Sequence, residues 1–289
     1  MKILLSGANG FTGRYICKEL QKNNLDFFAL IRHGNDTSWL KKNKIKYIYA
    51  DLNVYDDLYK ALEEIDVLIN AASLGFGSAP IIVKACMARN LKRVIFISTT
   101  GIFTSLNPNS KSIRIQAEKI INESKLDWTI FRPTMIYGDL GDRNIIKLIK
   151  LIFYFPIIPV FGRGNNLLQP VNVRDISESV VKVINLKNTF RKTFNLSGAY
   201  PIKISKLIDI VSKTLNKKVF KLHIPPFLAI MTLSITEKFN LKLPIAKEQV
   251  QRLLEDKDFS HNKAKLEFGY NPIDIELGIK KEVELFINK

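Results

Sequence analysis

The sequence is poor in the residues that build metal centres and disulfide frameworks. Its 289 residues include only two cysteines and three histidines. Cys17 and Cys86 lie far apart in segments with helical spacing, and no C-x-x-C pattern joins them. They indicate buried thiols in a reducing compartment rather than structural disulfides or a zinc site. His223 has no partner at metal-ligand spacing, so no metal site is predicted.

The sequence also lacks a long, uninterrupted hydrophobic run. The longest apolar stretch, residues 145–162, is broken by Lys147, Lys150, Pro156 and Pro159. A transmembrane helix needs about 20 predominantly apolar residues, so we expect a helix that roofs a substrate cleft, or alternatively one that lies in a membrane interface. The N-terminal apolar run stops at Ser6, which argues against a secretory signal. We therefore predict a cytoplasmic protein, with peripheral attachment at the inner membrane face as an alternative.

Acidic residues are few beside the basic ones, with 27 Asp and Glu against 44 Lys and Arg and a net charge of +17. The lysines are spread along the chain and do not alternate with aromatic residues, so nucleic-acid binding is not expected. A hydrophobic content of 46% with 25% charged residues is typical of a soluble globular protein. The basic surface is also compatible with an anionic cofactor and substrate.

The chemistry begins with a glycine-rich turn directly after the first apolar segment. Lys2 to Ser6 suits a buried parallel strand, and G-x-x-G-x-x-G follows before a segment of helical spacing. Glycines let the backbone approach a pyrophosphate, and the helix N-terminus offers free N–H groups and a partial positive charge. The predicted cofactor contacts in this turn are Gly7, Asn9, Gly10, Phe11, Thr12 and Gly13.

The second strand favours one form of the dinucleotide. Asp26 to Ile31 is followed by Arg32 and His33, where an NAD-specific fold places an acidic residue for the ribose 2′-hydroxyl. A cation suits a 2′-phosphate, so NADP(H) is favoured and NAD(H) stays open. Arg14 is a second candidate phosphate contact. The alternative for Arg32 is an ordinary surface charge at a strand end.

Strands and helices alternate through the first half of the chain. This pattern predicts an α/β fold with a Rossmann-type, doubly wound parallel sheet and a smaller mixed C-terminal substrate lobe. We place the Rossmann domain at residues 1–140 and the lobe at 141–289, with some later segments returning to the core. Asp51 and Leu52, after the third strand, are candidate adenine contacts, although Asp51 can equally cap a turn. Ala71 and Ala72, after the fourth strand, are small enough to pass close to the cofactor ribose.

Seven short stretches carry a family resemblance in the expected order: GANGFTG at 7–13, ADL at 50–52, NAAS at 70–73, FISTTGIF at 96–103, FRPTMIYG at 131–138, LQPVNVRDI at 168–176 and FNLSG at 194–198. On these the chain resembles the extended or atypical short-chain dehydrogenases/reductases of the NAD(P)-dependent epimerase/dehydratase superfamily. Residues 141–171 most resemble the atypical branch that includes an accessory subunit of respiratory complex I.

The resemblance implies where catalysis takes place. Active members carry a Ser or Thr after the fifth strand and a Tyr-x-x-x-Lys dyad on the next helix, whose lysine lowers the pKa of the tyrosine. Thr99 occupies the first position with Thr100 beside it, but the dyad positions fall on Ser110 and Arg114. Arg114 can still bind the nicotinamide ribose. Sugar 4,6-dehydratases carry an acidic pair after the Thr, and this chain has Thr100 and Gly101 there, so that activity is disfavoured.

Four further residues are candidates. Tyr137, after the sixth strand, is a conceivable substitute proton donor or else a packed aromatic under the substrate loop. Pro133 lies where relatives turn their backbone toward the nicotinamide carboxamide. Arg163, between two glycines, and Gln169 are candidate contacts for a substrate diphosphate, or else parts of a surface turn.

Two functions remain open from the sequence. The first is an NADP(H)-dependent oxidoreductase or epimerase acting on a nucleotide- or lipid-linked sugar. The second is a catalytically weak cofactor-binding protein with a structural or regulatory role. The apolar patch at residues 224–235 is read as a lobe core or as the face of a homodimer.

Overall fold

The computed structural model describes residues 1–238 and 247–288, with side chains through residue 234 in the first range. The strands are β1 (Lys2–Ser6), β2 (Asp26–Ile31), β3 (Tyr47–Tyr49), β4 (Val67–Asn70), β5 (Arg93–Ile97), β6 (Asp127–Pro133), β7 (Ile136–Tyr137), β8 (Ile157–Phe161), β9 (Leu167–Leu168), β10 (Val171–Asn172), β11 (Lys192–Leu196), β12 (Ile202–Lys203) and β13 (Phe220–Ile224).

The helices alternate with these strands. They are α1 (Phe11–Lys22), α2 (Ser38–Lys42), α3 (Tyr55–Ala61), α4 (Ala79–Ala88), α5 (Asn109–Glu123), α6 (Ile145–Tyr154), α7 (Val173–Lys182), α8 (Ile204–Thr214), α9 (Pro226–Lys238), α10 (Lys247–Leu253), α11 (Asn262–Phe268) and α12 (Ile275–Ile287). None of these helices combines the length and hydropathy needed to cross a bilayer.

A seven-stranded parallel sheet in the order β11-β6-β5-β4-β1-β2-β3 forms the centre of the molecule. Every residue of β4 and β5 is buried, because helices cover both faces of the sheet. The predicted Rossmann-type, doubly wound fold is confirmed. The strand order reverses between β1 and β4, so a ligand crevice is expected at their carboxyl ends.

The C-terminal lobe contains three short strand pairs and its own apolar core. The pairs are β7 with β10, β8 with β13 and β9 with β12. Buried residues of α6, α8 and α12 pack together, with Ile149, Val211 and Ile279 fully enclosed. Beyond residue 140 the chain also returns to the main sheet, because β11 pairs with β6 and Ile176 and Val180 of α7 join the core around α1.

One helix has different bounds from those that the sequence predicted. The apolar stretch 145–162 does not form one roofing helix, because α6 ends at Tyr154, Pro156 follows, and β8 takes the remainder. Proline removes a backbone donor and ends the helical ladder. Further along the chain, α7 starts at Val173, and Asn172 caps it by accepting a hydrogen bond from Arg174 N at 3.0 Å.

Candidate functional site

The glycine turn joins β1 to α1 in the predicted strand–turn–helix arrangement. Gly7 has φ +72°, and a Cβ there would lie 2.6 Å from Ala72 N. A Cβ on Gly13 would lie 2.0 Å from Gly7 O, and Gly10 N donates to that same oxygen at 2.9 Å. These contacts leave no room for side chains, so the turn stays tight and keeps the α1 N-terminus open to an anion.

Two buried polar atoms beside the turn lack a partner in the described structure. Asn9 donates through Nδ2 to Asp36 O at 2.7 Å, while its Oδ1 has no hydrogen bond. Arg14 lies over the Trp39 ring at 5.1 Å, and its Nε is also unpaired. Buried polar groups are seldom left unsatisfied. A glycine cradle with unused polar groups fits a dinucleotide, so the residues present suit the cofactor that the motif implies.

The residues after β2 and β3 lie at the carboxyl ends of these two neighbouring strands. Arg32 is exposed, and His33 stacks on Tyr49 with centroids 4.8 Å apart. Asp51 Oδ1 accepts hydrogen bonds from Asn53 N at 2.9 Å and from Asn53 Nδ2 at 3.2 Å. Asp51 therefore stabilises its own turn, as the alternative reading proposed, while Leu52 beside it is half-buried.

The carboxyl end of β4 passes close to the glycine turn. Ser6 donates to Asn70 Oδ1 at 2.6 Å, and Asn70 Nδ2 donates to Ala72 O at 3.1 Å. These bonds fix Ala71 and Ala72 against Gly7, and the small side chains allow that approach. The backbone placement required for a cofactor ribose contact is therefore present.

Three consecutive hydroxyls follow β5, and two of them use their protons inside the protein. Ser98 donates to Glu118 Oε1 at 2.5 Å, and Thr100 donates to Pro133 O at 3.3 Å. Thr99 Oγ1 instead accepts a hydrogen bond from Gly101 N at 3.0 Å. Its hydroxyl proton is therefore available to a substrate. Thr100 is tied to the backbone of β6, so its hydroxyl is a support rather than a substrate contact.

Ser110 and Arg114 meet as the dyad alignment predicts, one turn apart on α5. Arg114 Nη1 donates to Ser110 Oγ at 2.7 Å, and Nη2 donates to Ser73 Oγ at 3.4 Å. Burial, and secondarily the charge of Arg252, lower the pKa of Arg114. The pair has no phenol, and a guanidinium stays protonated near neutrality. It can position an anion or a sugar hydroxyl but cannot exchange a proton.

A cavity of about 270 Å³ connects these parts. The predicted residues that line it are Thr12, Ala71, Thr99 and Arg114, together with Ser73, Ser98, Gly101 and Arg252. Arg252 and Ser73 were not identified from the sequence. Ser73 lies within the quoted NAAS stretch, but Arg252 comes from α10, far along the chain, and no motif marks it.

The segment carrying Arg252 is fastened to the loop after β5. Glu255 accepts hydrogen bonds from Thr104 Oγ1 at 2.5 Å and from Ser105 N at 2.7 Å. Lys257 Nζ donates to Arg252 O at 2.7 Å. The C-terminal lobe therefore supplies one wall of the cavity through α10.

Three other predicted residues lie outside this cavity's lining. Tyr137 is 1% exposed, and a Cβ on Gly278 would lie 1.9 Å from its hydroxyl. Its hydroxyl is enclosed against α12 and does not line the cavity, so the structure does not support it as a proton donor there. Burial also raises the pKa of Tyr137. Gln169 is also buried, and its amide donates to Gly198 O at 2.9 Å and accepts from Phe259 N at 2.8 Å, so both ends of the amide are bound inside the protein. Arg163 is exposed on the turn between β8 and β9.

Comparison with known proteins agrees with this geometry. A sequence model of the NAD(P)H-binding family matches residues 7–148. Photosystem II assembly factor Ycf39 of Trieres chinensis is 21% identical, over 79% of this chain and 73% of its own. Subunit 9 of the alpha subcomplex 1 of mitochondrial NADH dehydrogenase [ubiquinone] from Dictyostelium discoideum is 22% identical, over 84% of this chain and 73% of its own.

A solved structure shares the whole architecture. UDP-glucuronic acid 4-epimerase from Bacillus cereus, in complex with UDP-glucuronic acid and NAD, matches with a TM-score of 0.77 at 19% identity, over 100% of this chain and 99% of that one. Such low identity establishes the shared fold and no more. Residues 7–148 match the NAD(P)H-binding family, and the chain is similar at low identity to several UDP-sugar epimerases with known sequences or structures.

Proposed function

We propose that this protein is an NADP(H)-dependent oxidoreductase or epimerase that acts on a nucleotide- or lipid-linked sugar. The observation that carries the proposal is the single cavity in which Thr12 of the glycine turn, Ala71 after β4 and Thr99 after β5 all meet. A hydride donor and a reacting alcohol or ketone must share one such enclosed space. The neighbouring epimerase structure, with UDP-glucuronic acid and NAD, supports a sugar nucleotide as the substrate class.

The chain's own residues have separate roles in this scheme. When bound, the nicotinamide cofactor supplies or accepts a hydride. Thr99 donates a hydrogen bond through its hydroxyl to the oxygen on the reacting carbon and keeps its proton, while the Gly101 N–H fixes the orientation of that hydroxyl. Arg114 keeps a positive charge where the oxygen becomes anionic. The proton itself comes from solvent, because neither Arg114 nor Ser110 can release one near neutral pH.

The NADP(H) preference is a further part of the proposal. Arg32 is exposed at the end of β2, and Arg14 offers an unpaired Nε on the same side of the glycine turn. Asp36, in the loop between β2 and α2, argues against an NADP(H) preference, because an acidic residue near the end of β2 favours the ribose 2′-hydroxyl of NAD(H). Its carboxylate accepts hydrogen bonds from Ser38 N at 2.9 Å and from Ser38 Oγ at 2.5 Å. These hydrogen bonds lower the pKa of Asp36, so its carboxylate keeps its charge. Arg14 and Arg32 together outweigh that one negative charge at the position where a 2′-phosphate would bind.

The second candidate function is a cofactor-binding protein with little catalysis and a structural or regulatory role. The observation favouring it is that Ser110 and Arg114 stand in place of the dyad, while Tyr137 is enclosed in the lobe core. The two functions share the cofactor site and differ in turnover. They are separated by measuring binding and turnover on the same preparation.

The test begins with calorimetric titration of NADPH and NADH into the parent protein, Arg32→Ala and Arg191→Ala. Arg191 is an exposed arginine at the amino end of β11, on the opposite side of the sheet. We expect NADPH to bind more tightly than NADH, and Arg32→Ala alone to reduce that preference by about tenfold, the loss of one charge-assisted hydrogen bond. Equal affinities in the parent protein would refute the preference, and binding of neither would refute the cofactor site.

Turnover is then measured by following nicotinamide absorbance, and product formation by chromatography, with UDP-glucose and UDP-glucuronic acid. Formation of a 4-epimer or a keto sugar supports the first function. Tight cofactor binding without product supports the second.

A further inference from the structure

The cavity of about 270 Å³ that Thr99 lines has positively charged side chains in its lining but no negatively charged ones among the described residues. Arg114 of α5 and Arg252 of α10 both line it, and none of the lining residues in the described ranges 1–238 and 247–288 carries a carboxylate. The remaining polar lining consists of hydroxyls, chiefly Thr12, Ser73 and Thr99. Two guanidinium groups beside one enclosed space repel each other unless an anion lies between them.

Neither arginine is fully neutralised by its neighbours. The side-chain hydrogen bonds of Arg114 go to the neutral hydroxyls of Ser110 and Ser73. Arg252 pairs with Glu248, with Nη2 2.6 Å from Oε1, but that carboxylate is half exposed on the same helix. An exposed pair of this kind is weak, because solvent screens both charges. Arg252 can therefore exchange Glu248 for a ligand at little cost.

The position of the two arginines relates the anion to the reaction. Arg114 stands one turn after Ser110 and shares the cavity with Thr99, whose hydroxyl proton is free. An anionic group held between Arg114 and Arg252 and a reacting oxygen beside Thr99 can therefore belong to one substrate molecule, because all three residues line the same cavity. The free N–H groups of the glycine turn already serve the cofactor diphosphate, so this second cationic position suits the substrate.

We propose that Arg114 and Arg252 bind an oxyanion of the substrate, either a carboxylate on the sugar or the diphosphate that links the sugar to its carrier. This inference rests on the proposed function, and it assigns the two residues that bind the charged group of the substrate. Guanidinium groups bind both oxyanions through paired hydrogen bonds. Arg252 gives the C-terminal lobe a direct part in recognition.

The test uses the NADPH complex and two ligands that differ by one carboxylate, UDP-glucuronic acid and UDP-glucose, with inorganic pyrophosphate as a third probe. Their affinities are measured by calorimetry for the parent protein, Arg114→Gln, Arg252→Gln, Glu248→Gln and Arg191→Gln. If the sugar carboxylate is the bound group, UDP-glucuronic acid binds about tenfold more tightly than UDP-glucose, and Arg252→Gln and Arg114→Gln abolish that ratio. Glu248→Gln should strengthen binding, since it frees Arg252, and Arg191→Gln should have no effect.

If the diphosphate is the bound group, both sugar nucleotides and pyrophosphate weaken together in Arg252→Gln while the ratio between the sugars stays near one. Unchanged affinities for all three probes in Arg252→Gln would overturn the inference. So would a loss of NADPH affinity as large as the loss for the probes, because the anion would then belong to the cofactor. If neither sugar nucleotide binds the parent protein, the proposed substrate class fails, and pyrophosphate binding that needs both arginines still supports the anion site. Absence of that binding as well overturns it.

Discussion

At the scale of single residues, the direction of each hydrogen bond separates three adjacent hydroxyls. Ser98 and Thr100 donate to Glu118 and to the Pro133 carbonyl, whereas Thr99 accepts from Gly101 N and keeps its proton. We predict that Thr99→Val lowers turnover by about 100-fold, as expected when a donor to the reacting oxygen is removed. The measurement is kcat with whichever sugar nucleotide is turned over, together with the NADPH dissociation constant, which should hardly change.

Ser110→Ala is the matched comparison, because it removes a hydroxyl from the same site at the lost tyrosine position. Its hydroxyl already accepts a hydrogen bond from Arg114 at 2.7 Å, so we expect a loss of only a few-fold. A loss as severe as that of Thr99→Val would show that Ser110, or a water bound to it, takes part in proton transfer.

Residue types that serve as motifs were readable from the sequence, whereas their partners were not. The glycine turn could be predicted because its geometry depends on local residue types, and Gly7 and Gly13 meet backbone at distances that exclude a Cβ. Gln169 could not be resolved, since nothing local indicates that Gly198 and Phe259 will occupy its amide. Arg252 was invisible for the same reason, because only tertiary packing brings α10 to the cavity.

At the scale of elements, prediction succeeded where an apolar run forms a single strand. The segment Asp26–Ile31 is a strand with the predicted bounds, because burial on both faces of a parallel sheet requires a continuous apolar run. The run 145–162 has two causes, a helix face in α6 and a strand face in β8. Apolar content alone does not separate them, and Pro156 was the local sign of the boundary.

One pair of carboxyl groups links α12 to the loop after β7. Glu282 is 0% exposed and accepts a hydrogen bond from Gly138 N at 2.8 Å, but its Oε1 has no partner when both acids are ionised. Asp142 Oδ2 is likewise unpaired. Burial first, then the hydrogen bond and charge of Asp142, raise the pKa of Glu282. The proton that Glu282 keeps can be donated in a hydrogen bond toward Asp142.

This arrangement predicts a stability that falls as the pH rises. Unfolded Glu loses its proton near pH 4, whereas folded Glu282 keeps it at higher pH, so the native state binds more protons and the free energy of unfolding decreases with pH. We predict that Glu282→Gln is more stable than the parent protein at about pH 8, by about 1 kcal/mol or more, and not at about pH 4. Thermal unfolding at both pH values measures this.

Glu284→Gln on the same helix is the control, because that side chain is exposed and should change neither value. If the stability of the parent protein and that of Glu282→Gln depend equally on pH, folded Glu282 does not keep its proton and the prediction is wrong. Asp139 and Tyr137 also lie near this pair. Any pH dependence of stability that remains in Glu282→Gln is tested by combining this change with Asp139→Asn or with Tyr137→Phe.

At the scale of the whole molecule, one surface of the lobe presents an apolar patch. β8 and β13 pair in register with Phe220 opposite Ile157 and Leu222 opposite Pro159. Phe220 is 65% exposed, Ile157 53% and Leu222 46%, and Phe155 just before β8 is 56% exposed. We call Phe155, Ile157, Phe220 and Leu222 the strand-pair patch. Contiguous apolar surface of this kind marks an interaction site.

We propose that the strand-pair patch contacts an anionic membrane surface, which would keep the protein near a lipid-linked substrate. The exposed Lys217 and Lys218 directly precede β13 and add positive charge beside the patch. Each well-placed lysine contributes about 1 kcal/mol of attraction to anionic lipid, and salt screens it. The competing explanation is a homodimer face, in which a second copy covers the same residues.

Flotation with anionic and with neutral liposomes, at low and at high salt, separates the two explanations. We expect the parent protein to float with anionic liposomes at low salt only, and Phe220→Ser to reduce that fraction because it removes an exposed aromatic ring from the patch. Leu266→Ser is the matched control, since Leu266 is 86% exposed on α11 and lies outside the patch. A protein that floats with neither lipid, but elutes as a dimer that Phe220→Ser dissociates, would replace the membrane with a second subunit.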